Sequence, residues 1–565
     1  MRPRTVYTVL EETAAIYPDK AALHQPLGGG KYRTWTWREY RDTVQQIAVG
    51  IRELGVKKGG MVALQSETRA EFYLTDIGIM TAGAISAALY TSLPYADQMK
   101  TLRDSDATVV FVENEKVLKA LQCEGLLDVQ WILLTDDSVR AAGERKMRQD
   151  PRVFERIRAE VAESDIAVLY MTSGATGEPK MGLVSHKALV TNMDMSPTSF
   201  PLSPEDCTIA FLPSAHIAQR VVVELLPIRE GGCIWFSEGL SKLPQELRTI
   251  RPTFFLAPPR VWERIYSTVA AEIRKRPAAV RRLFYTAIGL GSEASRRREQ
   301  GKPIPRWMRT SLRVFDTLVF SKIRARLGGR MRLAASGAAP LSKDLAEFYG
   351  AIGMALVEGY GLTEGGVALL NPFDRPKAGS IGKLLPGIEA RIEEDGELML
   401  RGASLFSGYY KDPEATAAVL RDGWLATGDI AECDADGYYY ITGRKKELIV
   451  SSNGKKIYPA RIEGMLKKEP AINQVLLIGD RLPYVTALVT VHGSPQEVRD
   501  TVEKAVKAVN KQLASFEQVR KFKILERDFS IEQGELTPTM KVRRNRVLEN
   551  HRTLVSEMYM GKDVD

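Results

Sequence analysis

Ile166-Ala-Val-Leu-Tyr-Met-Thr-Ser-Gly-Ala-Thr-Gly-Glu-Pro-Lys180 decides the reading of this chain. Its first six residues are an apolar, β-branched run of strand length. The next nine concentrate hydroxyls, glycines and one lysine. Glycines permit turns that aim several backbone N–H groups at one anion, Ser and Thr add donors, and Lys180 adds a compact positive charge. The spacing is neither GxxxxGK[ST] nor GxGxxG, so this is neither of those two phosphate loops. On composition alone it reads either as an ordinary surface loop or as a phosphate cradle.

Around this segment the chain reads as αβ layers. Residues 37–56 carry Val44, Ile47, Ile51 and Leu54 on one helical face, with Gly55 placed to stop the helix. Short apolar runs at Met61–Leu64, Val109–Val112, Ile209–Pro213, Thr253–Pro258, Met331–Ala335 and Ala355–Glu358 read as strands between helical stretches. The tract Gly379–Gly408 alternates apolar with polar residues, as antiparallel sheet does. A boundary is expected near Thr442-Gly-Arg-Lys-Lys446, which leaves a C-terminal part large enough to be a small α+β domain.

The 565 residues exceed what one core usually organises, and 44% hydrophobic with 26% charged residues is ordinary globular usage. The N-terminal twenty residues lack the apolar core of a secretory signal, and Tyr73–Tyr90, the most apolar long window, contains Asp76 and suits a buried helix and strand. A cytoplasmic chain with no membrane span is therefore expected. Cys123, Cys207, Cys233 and Cys433 show no CxxC spacing, so they read as four reduced thiols rather than a zinc site or disulfide framework. The net charge of +9 is local. Residues 271–330 hold 16 Lys+Arg against 4 Asp+Glu, a net of +12, and the rest of the chain sums to −3. Leu283, Phe284, Trp307, Met308, Val314, Phe315, Leu318 and Phe320 recur among those arginines at helical spacing. This stretch is open between a solvated helical face, an anionic membrane and a polyphosphate partner; no nucleic-acid-binding module accompanies it.

The loop Thr172–Lys180 resembles the nucleotide signature of the adenylate-forming superfamily, which includes acyl-CoA synthetases, luciferases and peptide-synthetase adenylation domains. Ser336-Gly-Ala-Ala-Pro340 is similar to its adenine-side turn, Glu358-Gly-Tyr-Gly-Leu-Thr-Glu364 to its YGxTE motif, and Thr427-Gly-Asp429 to its ribose-binding TGD. Gly443-Arg444 is similar to the GR before its hinge, and Gly534–Lys541 to the motif of its catalytic lysine. Two departures stand in the loop: Ala175 replaces the usual second Thr, and Met181 stands where the family has Gly, with Gly182 following. Phe211–Arg220 and Pro252–Tyr266, with the long insertion between Trp262 and Met331, resemble long-chain fatty acyl-CoA synthetases of the bubblegum-type branch.

The resemblance implies an α/β fold: a large N-terminal domain (1–445) of αβ-layered subdomains plus a distorted β-barrel, with a basic helical insertion at about 262–330. A small mobile α+β lid (446–565) follows. It implies ATP, Mg²⁺ and CoA as reaction partners and a fatty acid as substrate. Nucleotide contacts are then expected from Thr172, Ser173, Gly174, Thr176, Gly177, Lys180, Gly337, Ala338, Ala339, Glu358, Gly359, Tyr360, Gly361, Thr363, Asp429, Arg444 and Lys541. Lys541 and Lys180 are the catalytic cations, and Glu364 the carboxylate near magnesium, assisted by Thr172. His216 is open between a buried structural histidine and a neighbour of the substrate carboxylate. Lys446 is the hinge that carries Ser452, Asn453 and Gly454 toward a pantetheine tunnel. Transfer to a carrier protein in place of CoA, and a shorter or aryl acid in place of a fatty acid, are the alternative readings. A binding protein built on the basic insertion is a third.

Overall fold

The computed structural model describes residues 4–125, 127–172, 180–451, 455–537 and 540–560. The chain divides into two compact units: a larger one running to Thr172 and including Lys180–Ala390 and Leu400–Leu425, and a smaller one of Arg391–Met399 and Ala426 onward.

The larger unit is built on a seven-stranded sheet in the order Gly408–Tyr409, Met181–Ser185, Ile166–Met171, Ile85–Ala88, Met61–Gln65, Val109–Val112, Gln130–Leu133. Its last five strands are parallel. Parallel strands are covered on both faces, which is why Met61–Gln65, Ile85–Ala88 and Val109–Val112 are buried at every position and are predominantly apolar. Helix Trp37–Glu53 covers one face. It starts on a capping box between Thr36 and Glu39 and buries Val44, Ile47 and Ile51. Tyr73–Tyr90 resolves into the buried helix Ala70–Thr81 and the strand Ile85–Ala88. Among the described residues no helix is long and apolar enough to cross a membrane.

A second sheet runs Phe254–Ala257, Leu333–Ser336, Leu356–Leu362, Gly366–Leu370, Lys383–Leu384. Its first three strands are parallel, and the fourth turns back as a hairpin. A third sheet pairs Ala21–Gly28 with Lys31–Thr36 and, in parallel, with Cys233–Phe236, whose other neighbour is Cys207–Ala210. The basic insertion is helical: Pro259–Arg274, Ala278–Glu299, Arg306–Phe315 and then a π-turn into Ser321–Arg324. Trp262 anchors it, fully buried, with its indole N–H donating to Ala257 O (3.2 Å) and Ala335 O (3.3 Å). Its apolar residues take two sides. Phe284, Met308 and Phe320 are buried, whereas Trp307, Tyr285 and Val314 are more than half exposed, at 62%, 58% and 54%.

In the smaller unit Ile472–Ile478 and Val485–Val491 pair antiparallel, and Val519–Ile524 joins them in parallel. Side chains alternate across this sheet. Val475, Leu477, Ala487 and Val489 pack with helices Pro459–Leu466 and Pro495–Asn510, while Leu476, Ile478 and Leu488 pack with Val547 and Met558 of the C-terminal helices.

Candidate functional site

Strand Ile166–Met171 delivers Thr172 to the mouth of the glycine-rich loop. There the Thr172 amide donates to Lys180 O (2.7 Å), and the Lys180 amide donates to the Thr172 hydroxyl (2.8 Å). The two ends of the loop are thus pinned together. Ser173, Gly174, Thr176 and Gly177 lie outside the described residues. The Lys180 ammonium sits 4.9 Å from the centre of the Tyr409 ring, and the Tyr409 hydroxyl donates to Glu364 Oε1 (2.6 Å). Burial, with the Glu364 carboxylate beside it, pushes the Tyr409 phenol far above its ordinary range, so it stays a neutral donor. Glu364 is fixed through its backbone as well, its carbonyl accepting from Phe406 N (2.9 Å), and Thr363 abuts Gly182. Thr172, Lys180, Thr363 and Glu364, widely separated in sequence, therefore share one locality.

The turn after Leu333–Ser336 places Ala338 at φ +68°, an uncommon conformation for a residue with a side chain. Glu358 holds this turn from below: its Oε1 accepts the Leu341 amide (3.1 Å), and its carbonyl accepts the Asn371 amide (2.9 Å). Burial raises its carboxyl to about 8, so it is protonated at neutral pH. Gly337, Ala338, Gly359, Tyr360 and Gly361 then line a cavity with about 770 Å³ of open space, its mouth included. The rest of the lining is mostly apolar: Met195, Phe200, Ile217, Val221, Val222, Leu226, Leu256, Val367, Leu370 and Leu385. His216 is part of this lining, and its Nδ1 accepts the Ala218 amide (3.2 Å), which leaves the ring proton on Nε2. Asn192, another lining residue, accepts the Val367 amide on Oδ1 (2.9 Å). Ala339 is solvent-exposed at the outer side of the turn.

One wall of the cavity is a π-helix, Gln219–Leu225, buried at all seven positions. Val221 and Val222 line the cavity, while Gln219, Arg220 and Glu224 are buried in the interior. Arg220 pairs with Asp76 (2.7 Å), neither side chain having any exposure. Asp76 also accepts from Ser86, Gln219 donates to the Tyr73 hydroxyl (2.8 Å), and the Arg220 guanidinium lies over Tyr170 at 5.1 Å. Burial, reinforced by Asp76, pushes the Glu224 carboxyl well above its ordinary value. π-Turns are rare and concentrate at functional sites. The wall falls within residues 211–235, the stretch from which the sequence reading draws the acyl pocket, whereas Tyr409 is not anticipated by the sequence.

In the smaller unit, Asp429 and Arg444 are cross-strand partners joined by an ion pair (2.9 Å), with Asp429 almost fully enclosed. Gly428 takes φ +71° and donates its amide to Glu397 (2.9 Å), which fixes the turn that presents Asp429. Lys541 is tied to Thr537: its amide donates to the Thr537 hydroxyl (3.0 Å), and its carbonyl accepts the Thr537 amide (2.8 Å). Beneath it, the buried Glu535 grips Arg527 through both carboxylate oxygens (2.6 and 2.9 Å). Lys446 lies in the short 3₁₀ turn Lys445–Glu447. Ser452, Asn453 and Gly454 lie outside the described residues.

Residues 10–410 match the AMP-binding enzyme family, and residues 446–563 match the AMP-binding enzyme C-terminal domain. The long-chain-fatty-acid–CoA ligase FadD15 of Mycobacterium tuberculosis is 34% identical over 95% of this chain and 94% of its own length. The long-chain-fatty-acid–CoA ligase ACSBG2 of Xenopus laevis is 28% identical over 99% of this chain and 84% of its own. Among solved structures, ATP-bound MatB from Rhodopseudomonas palustris shares the fold, with a TM-score of 0.74 at 22% identity, covering 98% of this chain and 99% of that one. By its motifs, its layered fold and these likenesses, this chain belongs to the AMP-binding enzyme family.

Proposed function

We propose that this chain is a long-chain fatty acid–CoA ligase that joins the fatty carboxylate to the α-phosphate of ATP, releases pyrophosphate, and then passes the acyl group to the CoA thiol. The observation that carries this reading is one apolar cavity whose rim is made by the same two turns, Gly337–Ala338 and Gly359–Gly361, that resemble the adenine-side motifs. Its lining, mostly apolar with a few polar groups, is the kind that holds a small organic ligand. The long-chain ligases FadD15 and ACSBG2, similar over nearly the whole chain, support the same substrate class.

A carboxylate approaching a polyphosphate brings two anions together, so charge compensation is the main catalytic demand. Lys180 supplies one cation at the loop mouth, and Lys541 supplies the second, on the carboxylate and α-phosphate. Asp429 accepts the ribose hydroxyls, Arg444 donates to the same sugar, and Tyr360 packs against adenine. Thr363 contacts phosphate. The oxygen donors of Glu364 and Thr172 suit a hard divalent cation bound mainly through nucleotide phosphates. A magnesium ion held by these residues and the nucleotide would supply charge neutralisation of the phosphates. Residues 446–565 act as a lid turning at Lys446, which withdraws Lys541 after adenylation and presents Ser452–Gly454 to the pantetheine arm.

Fatty-acid-dependent pyrophosphate release, followed by thioester formation with CoA but not with holo carrier protein, is the expected behaviour; thioester on the carrier alone would overturn the choice of acceptor. Lys541→Ala is expected to lose about 10²–10³-fold in adenylation while still forming thioester from supplied acyl-AMP. Equal loss in both half-reactions would contradict the lid assignment.

The insertion supports a peripheral role beside the reaction. Arg306, Arg309 and Arg313 are exposed on the same short helix as Trp307 and Val314, a pattern that matches the headgroup region of an anionic bilayer, where long-chain substrate partitions. Flotation with acidic but not neutral vesicles is the expected result.

A further inference from the structure

Cys207 and Cys233 are 26 positions apart in sequence but stand side by side in space. They open two adjacent parallel strands as register partners, Cys207 opposite Cys233 and Ala210 opposite Phe236. Neighbouring strands lie about 4.8 Å apart, inside the Cα separation of roughly 4.4–6.8 Å that a disulfide spans. Both residues are free thiols of intermediate exposure, and both line one small cavity together with Ser203, Asp206, Pro227 and Glu230. The neighbouring Cys233 thiol, the Thr253 backbone and the positive charge of Arg330 lower Cys207 to about 7 against the opposing effect of burial, while Cys233 is driven upward. Cys207, nearer the positive charge of Arg330, is thus placed as the attacking thiol and Cys233 as the resolving one.

We propose that Cys207 and Cys233 form a peroxide-responsive dithiol that closes reversibly into an intrachain disulfide. Hydrogen peroxide is the oxidant. Cys207 Sγ attacks one peroxide oxygen, the O–O bond breaks, water leaves, and Cys207 becomes a sulfenic acid. Cys233 Sγ then attacks the Cys207 sulfur, a second water leaves, and the S–S bond forms. Two electrons pass from the thiol pair to the peroxide, and a dithiol reductant returns them. The bond closes the loop 207–233, which carries His216, Ile217, Ala218, Val221, Val222 and Leu226 of the cavity wall. Oxidation therefore ties down the two ends of the segment that shapes the pocket, without touching the nucleotide turns.

The test uses the full chain carrying Cys123→Ser and Cys433→Ser, which removes the two exposed thiols. Brief treatment with dilute hydrogen peroxide is expected to consume both remaining thiols and lower the intact mass by two hydrogens. It should also yield a peptide linking the two strands, and dithiothreitol should reverse all three changes. Adding Cys233→Ser should leave a sulfenic acid on Cys207 that dimedone captures, and adding Cys207→Ser should slow oxidation about tenfold, the thiolate fraction being lost. The proposal is overturned if both thiols survive peroxide, or if Cys207 advances to sulfinic acid in the presence of Cys233. It is equally overturned if the linkage forms between molecules. These readouts do not depend on ligase activity.

Discussion

Arg220 and Arg309 both belong to helical segments of the larger unit, yet they meet opposite surroundings. Arg220 is fully enclosed, paired with Asp76, and shares its interior site with Glu224, whose carboxyl burial pushes well above its ordinary value. Arg309 stands in solvent on a helix that also exposes Trp307. A buried ion pair gains its attraction in a low dielectric but costs desolvation, so what it contributes above all is intolerance of a missing partner. A solvated arginine adds almost nothing to folding and leaves its charge available to an external anion. One protein thus uses the same side chain to fix a cavity wall and to present a surface.

The largest way to break the contrast is Arg220→Met. It strands Asp76 without a cation, and a loss of about 3–5 kcal/mol in urea denaturation is expected, nearly independent of salt. Adding Asp76→Asn should restore most of that loss; a double variant as unstable as the single one would show that packing, not charge, is at stake. Next comes pH. The Glu224 carboxyl titrates higher in the folded than in the unfolded chain, so above its ordinary value of 4.5 the native state keeps a proton that the unfolded state has released. Stability contributed by this group therefore falls as pH rises through that window, by up to about 1.4 kcal/mol per pH unit. Glu224→Gln is expected to flatten that slope; an unchanged slope would mean that Glu224 is ionised in the fold. Glu358, raised to about 8, has the same sign with an upper bound to its window, and Glu358→Gln should keep the Leu341 hydrogen bond while removing the dependence between about 4.5 and 8. The smallest effect on folding belongs to the surface. Arg306→Gln, Arg309→Gln and Arg313→Gln together should move stability by less than about 0.5 kcal/mol. The same triple variant should weaken binding to acidic vesicles by about 1 kcal/mol per arginine. Stability loss without vesicle loss would reverse the roles drawn for this helix.

What could be read in advance follows the range of each interaction. The strands Met61–Gln65 and Val109–Val112 and the capped helix after Thr36 are encoded by neighbours, and the sequence reading finds them within three residues of their bounds. Thr172 and Lys180, the two ends of the nine-residue motif, bond each other across a short sequence separation, so this contact is also local. Tyr409 was invisible because it reaches Lys180 and Glu364 only when Gly408–Tyr409 pairs with Gly182 and Leu183, a contact that no periodicity encodes. Asp76 argued against a membrane span, but its partner lies 144 residues away. The insertion's amphipathic spacing announced helices without saying that Trp307 would turn outward while Met308 turned in. The four cysteines, scattered in sequence, gave no sign that strand register would set two of them together.

Tyr409 has one more consequence. With its ring against the Lys180 ammonium and its hydroxyl on the Glu364 carboxylate, it acts as an insulator between a cation and an anion that would otherwise be drawn to each other. Opposite charges kept apart in the resting protein need not be separated when a ligand of mixed polarity arrives, so each is ready for its own counterpart at no cost in a broken pair.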